Sequence, residues 1–179
     1  MEYQILPHSE QLRHLFIENF VESYESFSSQ HKERIARLRT DFTKEYYDKM
    51  FMWDKIINIA NGISFSDALV SLKNKACEVF FLTESPQCPI REFCRLNNQK
   101  EFVAAANAND LADCISYEWF TEYKLIEQGR YLADPILPSE LYVFDASYSW
   151  CLIFTHETDE TETAESRFCL SIDKNIVKI

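Results

Sequence analysis

The chain has 179 residues, of which 46% are hydrophobic and 15% aromatic, and its formal net charge is −11. This length and composition allow a sizeable buried core and exclude an intrinsically disordered chain. No run of about 18 apolar residues occurs, which excludes a membrane-spanning helix. The opening Met-Glu-Tyr-Gln-Ile-Leu-Pro lacks the basic and apolar regions of a secretory signal, so we expect a cytoplasmic protein.

The N-terminal part, residues 1–62, is predicted to be helical. Ser9 is a suitable N-cap for a first helix, whose apolar residues share one face: Leu12, Leu15, Phe16, Phe20 and Tyr24. A long second helix is predicted from Ser29 to Ala60, with apolar residues at steps of three or four: Ile35, Leu38, Phe42, Tyr46, Met50, Trp53 and Ile57. Asn61-Gly62 is expected to end this helix in a left-handed conformation.

The stripe on the long predicted helix has two interpretations. It packs on the chain's own sheet, or it pairs with a second copy of the chain. The first is favoured because nearly continuous apolar strands need cover on both faces of a sheet. We therefore expect a monomer rather than a homodimer.

The sheet-containing part, residues 66–179, is predicted to follow the order β-β-α-β-β-β after a short helix. The predicted elements are a helix over Asp67–Asn74, strands over Cys77–Thr83 and Lys100–Ala105 around an irregular loop at Glu84–Asn98, a helix over Leu111–Glu127 capped by Asn109-Asp110 and closed by Gly129, strands over Leu141–Phe144 and Trp150–Thr155, and a last strand over Arg167–Ile172. Helices at the front and strands at the back predict a single α+β domain, with helices packed on a mixed or antiparallel sheet.

Cofactor and metal sites are not expected. The two glycines, Gly62 and Gly129, form no phosphate-binding loop. The six cysteines include no Cys-x-x-Cys pair, and the nearest two, Cys88 and Cys94, have no further ligand close by to complete a zinc site. Apolar neighbours predict buried free thiols in a reducing compartment.

Charge is distributed unevenly along the chain. Residues 1–75 contain 11 acidic and 10 basic residues, whereas residues 76–179 contain 18 acidic and 8 basic residues. The second part therefore carries nearly all of the net negative charge, with a polar, acid-rich tip over Thr158–Ser166. Such a surface repels nucleic acid and anionic membranes and attracts a basic partner, although an acidic surface also serves solubility alone.

An enzymatic alternative involves His156. A small hydrolase or transferase of unknown substrate would use this imidazole with a nearby carboxylate, Glu157 or Asp145. A nucleophile pair of Cys151 and His156 is disfavoured, because five residues along a regular strand place the two side chains on opposite faces.

The stretch Leu141-Tyr-Val-Phe-Asp145 is followed by Ser149-Trp-Cys-Leu-Ile-Phe-Thr-His-Glu157. Together they resemble the C-terminal hairpin of small bacterial immunity proteins, including those of contact-dependent inhibition systems. The resemblance covers about a tenth of the chain and includes no catalytic residue. It implies an antitoxin-like protein that binds and blocks a cognate toxin domain, often a basic nuclease.

We therefore predict a non-enzymatic protein that binds a basic toxin through its acidic hairpin region. The predicted contact residues combine carboxylates with one aromatic anchor. They are Asp145, Tyr148, Glu157, Asp159, Glu160, Glu162 and Glu165.

Overall fold

The computed structural model describes residues 1–38, 41–56, 59–75, 78–82, 102–132, 137–138, 140–161 and 163–174. These residues form one sheet of seven strands, in which every neighbouring pair is antiparallel. In chain order the strands are β1 (Tyr3–Ile5), β2 (Asn61–Ile63), β3 (Glu78–Leu82), β4 (Val103–Asn107), β5 (Leu141–Phe144), β6 (Trp150–Thr158) and β7 (Arg167–Asp173). Their order across the sheet is β1-β4-β3-β5-β6-β7-β2. The predicted α+β fold class is confirmed.

Helices cover both faces of the sheet. Their bounds are α1 (Ser9–Phe20), α2 (Tyr24–Gln30), α3 (Lys32–Ala36), α4 (Lys44–Lys49), α5 (Phe65–Lys73) and α6 (Ala108–Glu127), with 3-10 turns at Trp53–Lys55 and Ala164–Ser166. Helices α5 and α6 pack on one face, while α1 and the first 3-10 turn pack on the other. Among the described helices, none combines the length and apolar character that crossing a membrane requires.

Strands β5 and β6 lie at the centre of the molecule and are buried on both faces. Leu141 and Val143 contribute to the core under α5 and α6, whereas Tyr142 and Phe144 contribute to the core under α1. All four β5 residues are inaccessible to solvent. The nearly continuous apolar runs therefore arise because alternate side chains fill two separate cores, as the sequence predicts for a covered hairpin.

The predicted long helix from Ser29 to Ala60 is wrong. The segment contains α3, α4 and a 3-10 turn, and the preceding α2 begins where Ser23 caps it. Thr43 likewise caps α4 by accepting the Tyr46 N–H, which starts a new helix inside the apolar stripe. The short helices surround a small aromatic cluster: Tyr24, Phe27, Phe42, Tyr46 and Tyr47.

The structure therefore removes the long helix on which the predicted dimer alternative depends. Trp53 from the stripe is buried against the chain's own sheet, where its ring lies 6.1 Å from that of Phe168. This is the intramolecular packing that the sequence favours. The monomer itself stays a prediction.

The residues predicted as helical over 1–62 also supply both edges of the sheet. Strand β1 pairs with β4 at one edge, and β2 pairs with β7 at the other. Asn61-Gly62 belongs to β2, so the predicted left-handed helix end is wrong there. Gly129, in contrast, has φ +67°, as expected for a residue that closes α6. Edge strands of three residues are too short for their alternation to be recognised in a sequence.

Two predicted helix caps differ from the structure. Ser9 does not cap α1 with its side chain; its buried hydroxyl donates to the carbonyls of Leu6 and Val103 and joins the helix to β4. Helix α6 begins earlier than predicted, because Asn107 at the end of β4 accepts the backbone N–H groups of the next turn.

The predicted free thiols are confirmed for the described cysteines, Cys114, Cys151 and Cys169, of which the last two are buried. Burial raises the pKa of the Cys169 thiol to about 12. The predicted loop Glu84–Asn98, with Cys88 and Cys94, lies outside the described residues.

Candidate partner-binding site

The tight turn between β5 and β6 is a closed hydrogen-bonded unit. The Asp145 carboxylate accepts the Ser147 hydroxyl at 2.6 Å and the Ser149 N–H at 3.2 Å. Tyr148 has φ +53°, and its half-buried ring stacks on Phe144 with 5.4 Å between ring centroids. Both predicted contact residues therefore have partners within the fold, since Asp145 closes the turn and Tyr148 extends the core beside α1.

The predicted contact residues lie in two groups. Asp145 and Tyr148 precede β6, whereas Glu157, Asp159, Glu160 and Glu165 lie at or beyond its other end. A strand of nine residues rises by about 3.3 Å per residue, so its ends are roughly 26 Å apart. The structure does not bring the two groups to one surface. Glu162 lies outside the described residues.

The second group forms a defined surface, which we call the acidic end: Glu157, Asp159, Glu160 and Glu165. All four residues are exposed. Asp159 accepts the Thr161 N–H at 2.8 Å and the Thr161 hydroxyl at 2.5 Å, and these bonds lower the pKa of Asp159. The acidic end is therefore built on an ordered turn.

A reciprocal capping box shapes the chain after this turn. The Ser166 hydroxyl accepts the Thr163 N–H at 3.0 Å, while the Thr163 side chain accepts the Ser166 N–H. This box starts the 3-10 turn that leads into β7 and places Glu165 on its exposed side.

His156 connects the acidic end to the interior. Its Nδ1 is hydrogen-bonded to Oε1 of Glu140, whose side chain is only 4% exposed. Its Nε2 lies 3.2 Å from Oε1 of Glu157, which is half-exposed. The ring of Phe51 lies 5.1 Å from the imidazole and covers one side of it. The imidazole is therefore held between a buried and an exposed carboxylate.

Beneath this pair lies a buried cation, Arg167. Its Nε donates to the Thr155 carbonyl at 2.7 Å, and its guanidinium lies 3.1 Å from the centroid of the Trp119 ring. Burial lowers the pKa of Arg167 to about 10, although the charges of Glu140 and Glu122 oppose this change. The cation therefore lies close to the carboxylate that holds His156.

Asp54 adds a further carboxylate beside Glu157. It comes from the 3-10 turn near α1 and accepts Nη2 of Arg34 at 2.8 Å. Partial burial raises the pKa of Asp54, and the charge of Glu157 contributes to this increase, whereas Arg34 opposes it.

The enzymatic alternative receives partial geometric support. His156 lies beside the predicted Glu157 and is also paired with a buried carboxylate, Glu140, whereas Asp145 lies at the other end of β6. Cys151 is fully buried, and burial raises the pKa of its thiol well above the usual value, which disfavours a nucleophilic thiolate.

In a regular strand, the side chains of Cys151 and His156 would face opposite sides of the sheet. The β6–β7 ladder instead has an irregularity between Phe154 and Thr158. His156 contacts Phe51, which packs on the core that contains Cys151. Strand alternation is therefore not what makes Cys151 unsuitable as a nucleophile. Its thiol is shielded from solvent by burial.

No metal site is found among the described residues. Within them, no group of three or more His, Cys, Asp or Glu residues is arranged to hold a metal ion. Surface pockets open beside α1, at the β1 edge and along α3, and none of these three is lined by His156.

Sequence reasoning missed the residues that hold His156 in place. Phe51 and Asp54 come from one segment, at and just before the first 3-10 turn, whereas Glu140 directly precedes β5. One signal was present for Glu140, because an acid directly before a wholly apolar strand must either turn outwards or find a buried partner. No comparable signal marked Asp54 or Phe51.

The imidazole of His156 thus connects the ordered acidic end to the buried side chains of Glu140 and Arg167.

Comparison of the chain with protein family models, with curated proteins and with solved structures gives no match.

Proposed function

We propose that the protein is a non-enzymatic immunity protein that binds and neutralises a basic toxin domain, such as a nuclease domain, in the cytoplasm. The supporting observation is the acidic end. Within the described residues, no Lys or Arg forms an ion pair with its four carboxylates. The negative charge of Asp159, Glu160 and Glu165 is therefore available to a basic partner, whereas Glu157 lies beside His156.

Some exposed carboxylates elsewhere in the protein are neutralised by a neighbouring lysine. Lys44 pairs with Asp48, and Lys73 pairs with Asp113. The acidic end differs in having four exposed carboxylates within nine residues and, in the described part of the chain, no such lysine, which concentrates negative potential there. A concentrated potential accelerates the encounter with a surface of opposite charge and makes that encounter sensitive to salt.

The resemblance of the β5–β6 hairpin to immunity proteins supports the same function. The structure assigns this hairpin to the centre of the sheet, where it carries the acidic end at the exposed end of β6. A toxin that acts on nucleic acid has a basic substrate cleft, and carboxylates that occupy the cleft compete with the phosphates of its substrate.

The test is neutralisation of a toxin domain encoded next to the gene for this chain. Coexpression is expected to restore growth. The double variant Glu157→Lys/Glu160→Lys is expected to slow association by about tenfold or more at low salt, with a smaller effect at high salt. Stopped-flow mixing of the purified proteins measures this rate.

The matched control is Glu10→Lys/Glu127→Lys. It makes the same change in net charge at exposed positions on α1 and α6. Equal association rates for the two double variants would show that overall charge, and not the acidic end, determines binding.

A second candidate function is enzymatic inactivation of a target through His156. The pairing of His156 with the buried Glu140 favours it. Titration of the toxin domain separates the two functions. A binding protein neutralises at equimolar amounts, whereas an enzyme neutralises in substoichiometric amounts and loses this ability in His156→Gln.

A further inference from the structure

The two ring nitrogens of His156 both face carboxylate oxygens. Nδ1 faces Glu140 and Nε2 faces Glu157. An ionised carboxylate only accepts hydrogen bonds, and an imidazole has two N–H donors only in its protonated form. The arrangement is thus complementary to an imidazolium that bridges a buried carboxylate and an exposed one.

The bridge restrains the exposed carboxylate. Glu140 is buried close to Arg167, so one end of the bridge is fixed in the interior. Glu157 is half-exposed and would otherwise sample several side-chain conformations. A contact residue that is ordered before binding loses less conformational entropy when a partner arrives.

Other charged groups surround the bridge from each neighbouring element. Asp54, on the 3-10 turn, acts on Glu157, and Arg34 on α3 neutralises part of the Asp54 charge. Arg167 on β7 interacts electrostatically with Glu140 and with the α6 residues Tyr123 and Glu122. The ring of Phe51 shields one side of the imidazole.

We propose that His156 is a proton-linked positioning residue, which holds Glu157 in the free protein and releases a proton when a cationic group of a basic partner takes that carboxylate. This inference rests on the proposed function. A guanidinium binds a carboxylate through two parallel N–H donors and displaces the imidazolium. The Nε2 proton passes to solvent, and the neutral ring keeps its Nδ1–H bond to Glu140.

The direction of the pH dependence follows from this exchange. Because binding releases a proton, affinity rises with pH over the range in which His156 is protonated in the free protein and neutral in the complex. The binding constant increases by up to about tenfold per pH unit there, and it becomes constant above that range.

Calorimetric titration with a hexa-arginine peptide at low ionic strength tests the inference. Measurements at one pH in two buffers of different ionisation enthalpy give the number of protons released. We expect release from the wild type and none from His156→Gln, whose side chain does not titrate.

The matched control is His14→Gln. His14 is an exposed histidine whose Nε2 lies 3.2 Å from Oε1 of Glu18, but it is remote from the acidic end. This variant is expected to release protons as the wild type does. A control that loses proton release would contradict the assignment to His156.

The remaining outcomes are also decisive. Peptide binding by the wild type without proton release overturns the inference and leaves the proposed function intact. Binding by none of the variants overturns the inference as well, while the coexpression experiment decides the proposed function separately. Ring nitrogen NMR shifts of free His156 must also report two protonated nitrogens below its titration range, in both the wild type and His14→Gln.

Discussion

Replacing Arg167 with Met is expected to lower the free energy of unfolding by about 3–5 kcal/mol, the usual result of removing one partner from a buried charge network. Arg167 is only 7% exposed, its guanidinium lies on the Trp119 ring, and it opposes the charges of Glu140 and Glu122. Its removal takes this buried positive charge away from both carboxylates beneath the acidic end. Urea unfolding monitored by tryptophan fluorescence and by circular dichroism measures the change.

Two further variants test whether the loss of stability comes from the buried charge and from its contact with Trp119. Arg167→Lys keeps the charge but loses the planar contact with Trp119 and is expected to have intermediate stability. Lys73→Met removes a cation from an exposed ion pair and should cost no more than about 1 kcal/mol. If Arg167→Met were as stable as Lys73→Met, the buried network would contribute nothing to stability.

The second large effect is expected for Phe16→Ala, which should cost about 3–5 kcal/mol. Phe16 is fully buried, and its ring lies 4.9 Å from that of Phe144 and 5.8 Å from that of Tyr142. The truncation leaves a cavity between α1 and the centre of the sheet. Thermal and urea unfolding of the variant measure the loss.

His14→Ala is the matched control, because it truncates an exposed side chain on the same helix. A change within about 0.5 kcal/mol is expected there. A small effect of Phe16→Ala would mean that α1 contributes little to the core. Hydrogen exchange at the β5 amides should accelerate in Phe16→Ala, because opening α1 exposes that face of the sheet.

Elements with long, strongly apolar patterns could be predicted from the sequence. Strand β5 matches its predicted bounds of Leu141–Phe144, and α6 ends at Glu127 as predicted. Both patterns are set by burial over many consecutive residues, and burial is the dominant source of stability. Helix α6, with 20 residues, needs no special long-range contact to be recognised.

The prediction of one long helix from Ser29 to Ala60 was wrong for a local reason. An apolar residue every three or four positions predicts one helix, but it is equally compatible with several short helices around an aromatic cluster. Ser23 accepts a backbone N–H group and starts α2 before the pattern, and Thr43 does the same for α4 inside it. The energetic balance between one helix and three depends on packing around Phe27 and Tyr47, which periodicity does not report.

The candidate site was likewise predicted correctly only in part. The sequence located exposed carboxylates at Glu157, Asp159, Glu160 and Glu165, because a polar tip between strands must lie at the surface. The sequence wrongly suggested that these residues and Asp145 share one surface. They are close in sequence, but β6 lies between them, and the two ends of this strand are far apart in space.

The fold class, the buried central hairpin and the negative charge of residues 76–179 were predictable from the sequence alone, because each follows from composition and from patterns within one segment. The position of the His156 side chain, in contrast, depends on tertiary structure. The register that places Leu141 opposite Phe154 brings Glu140 close to the end of β6, and the following ladder irregularity turns His156 towards Phe51. These contacts join residues far apart in the chain, and only the pairing of strands and the packing of the 3-10 turn bring them together.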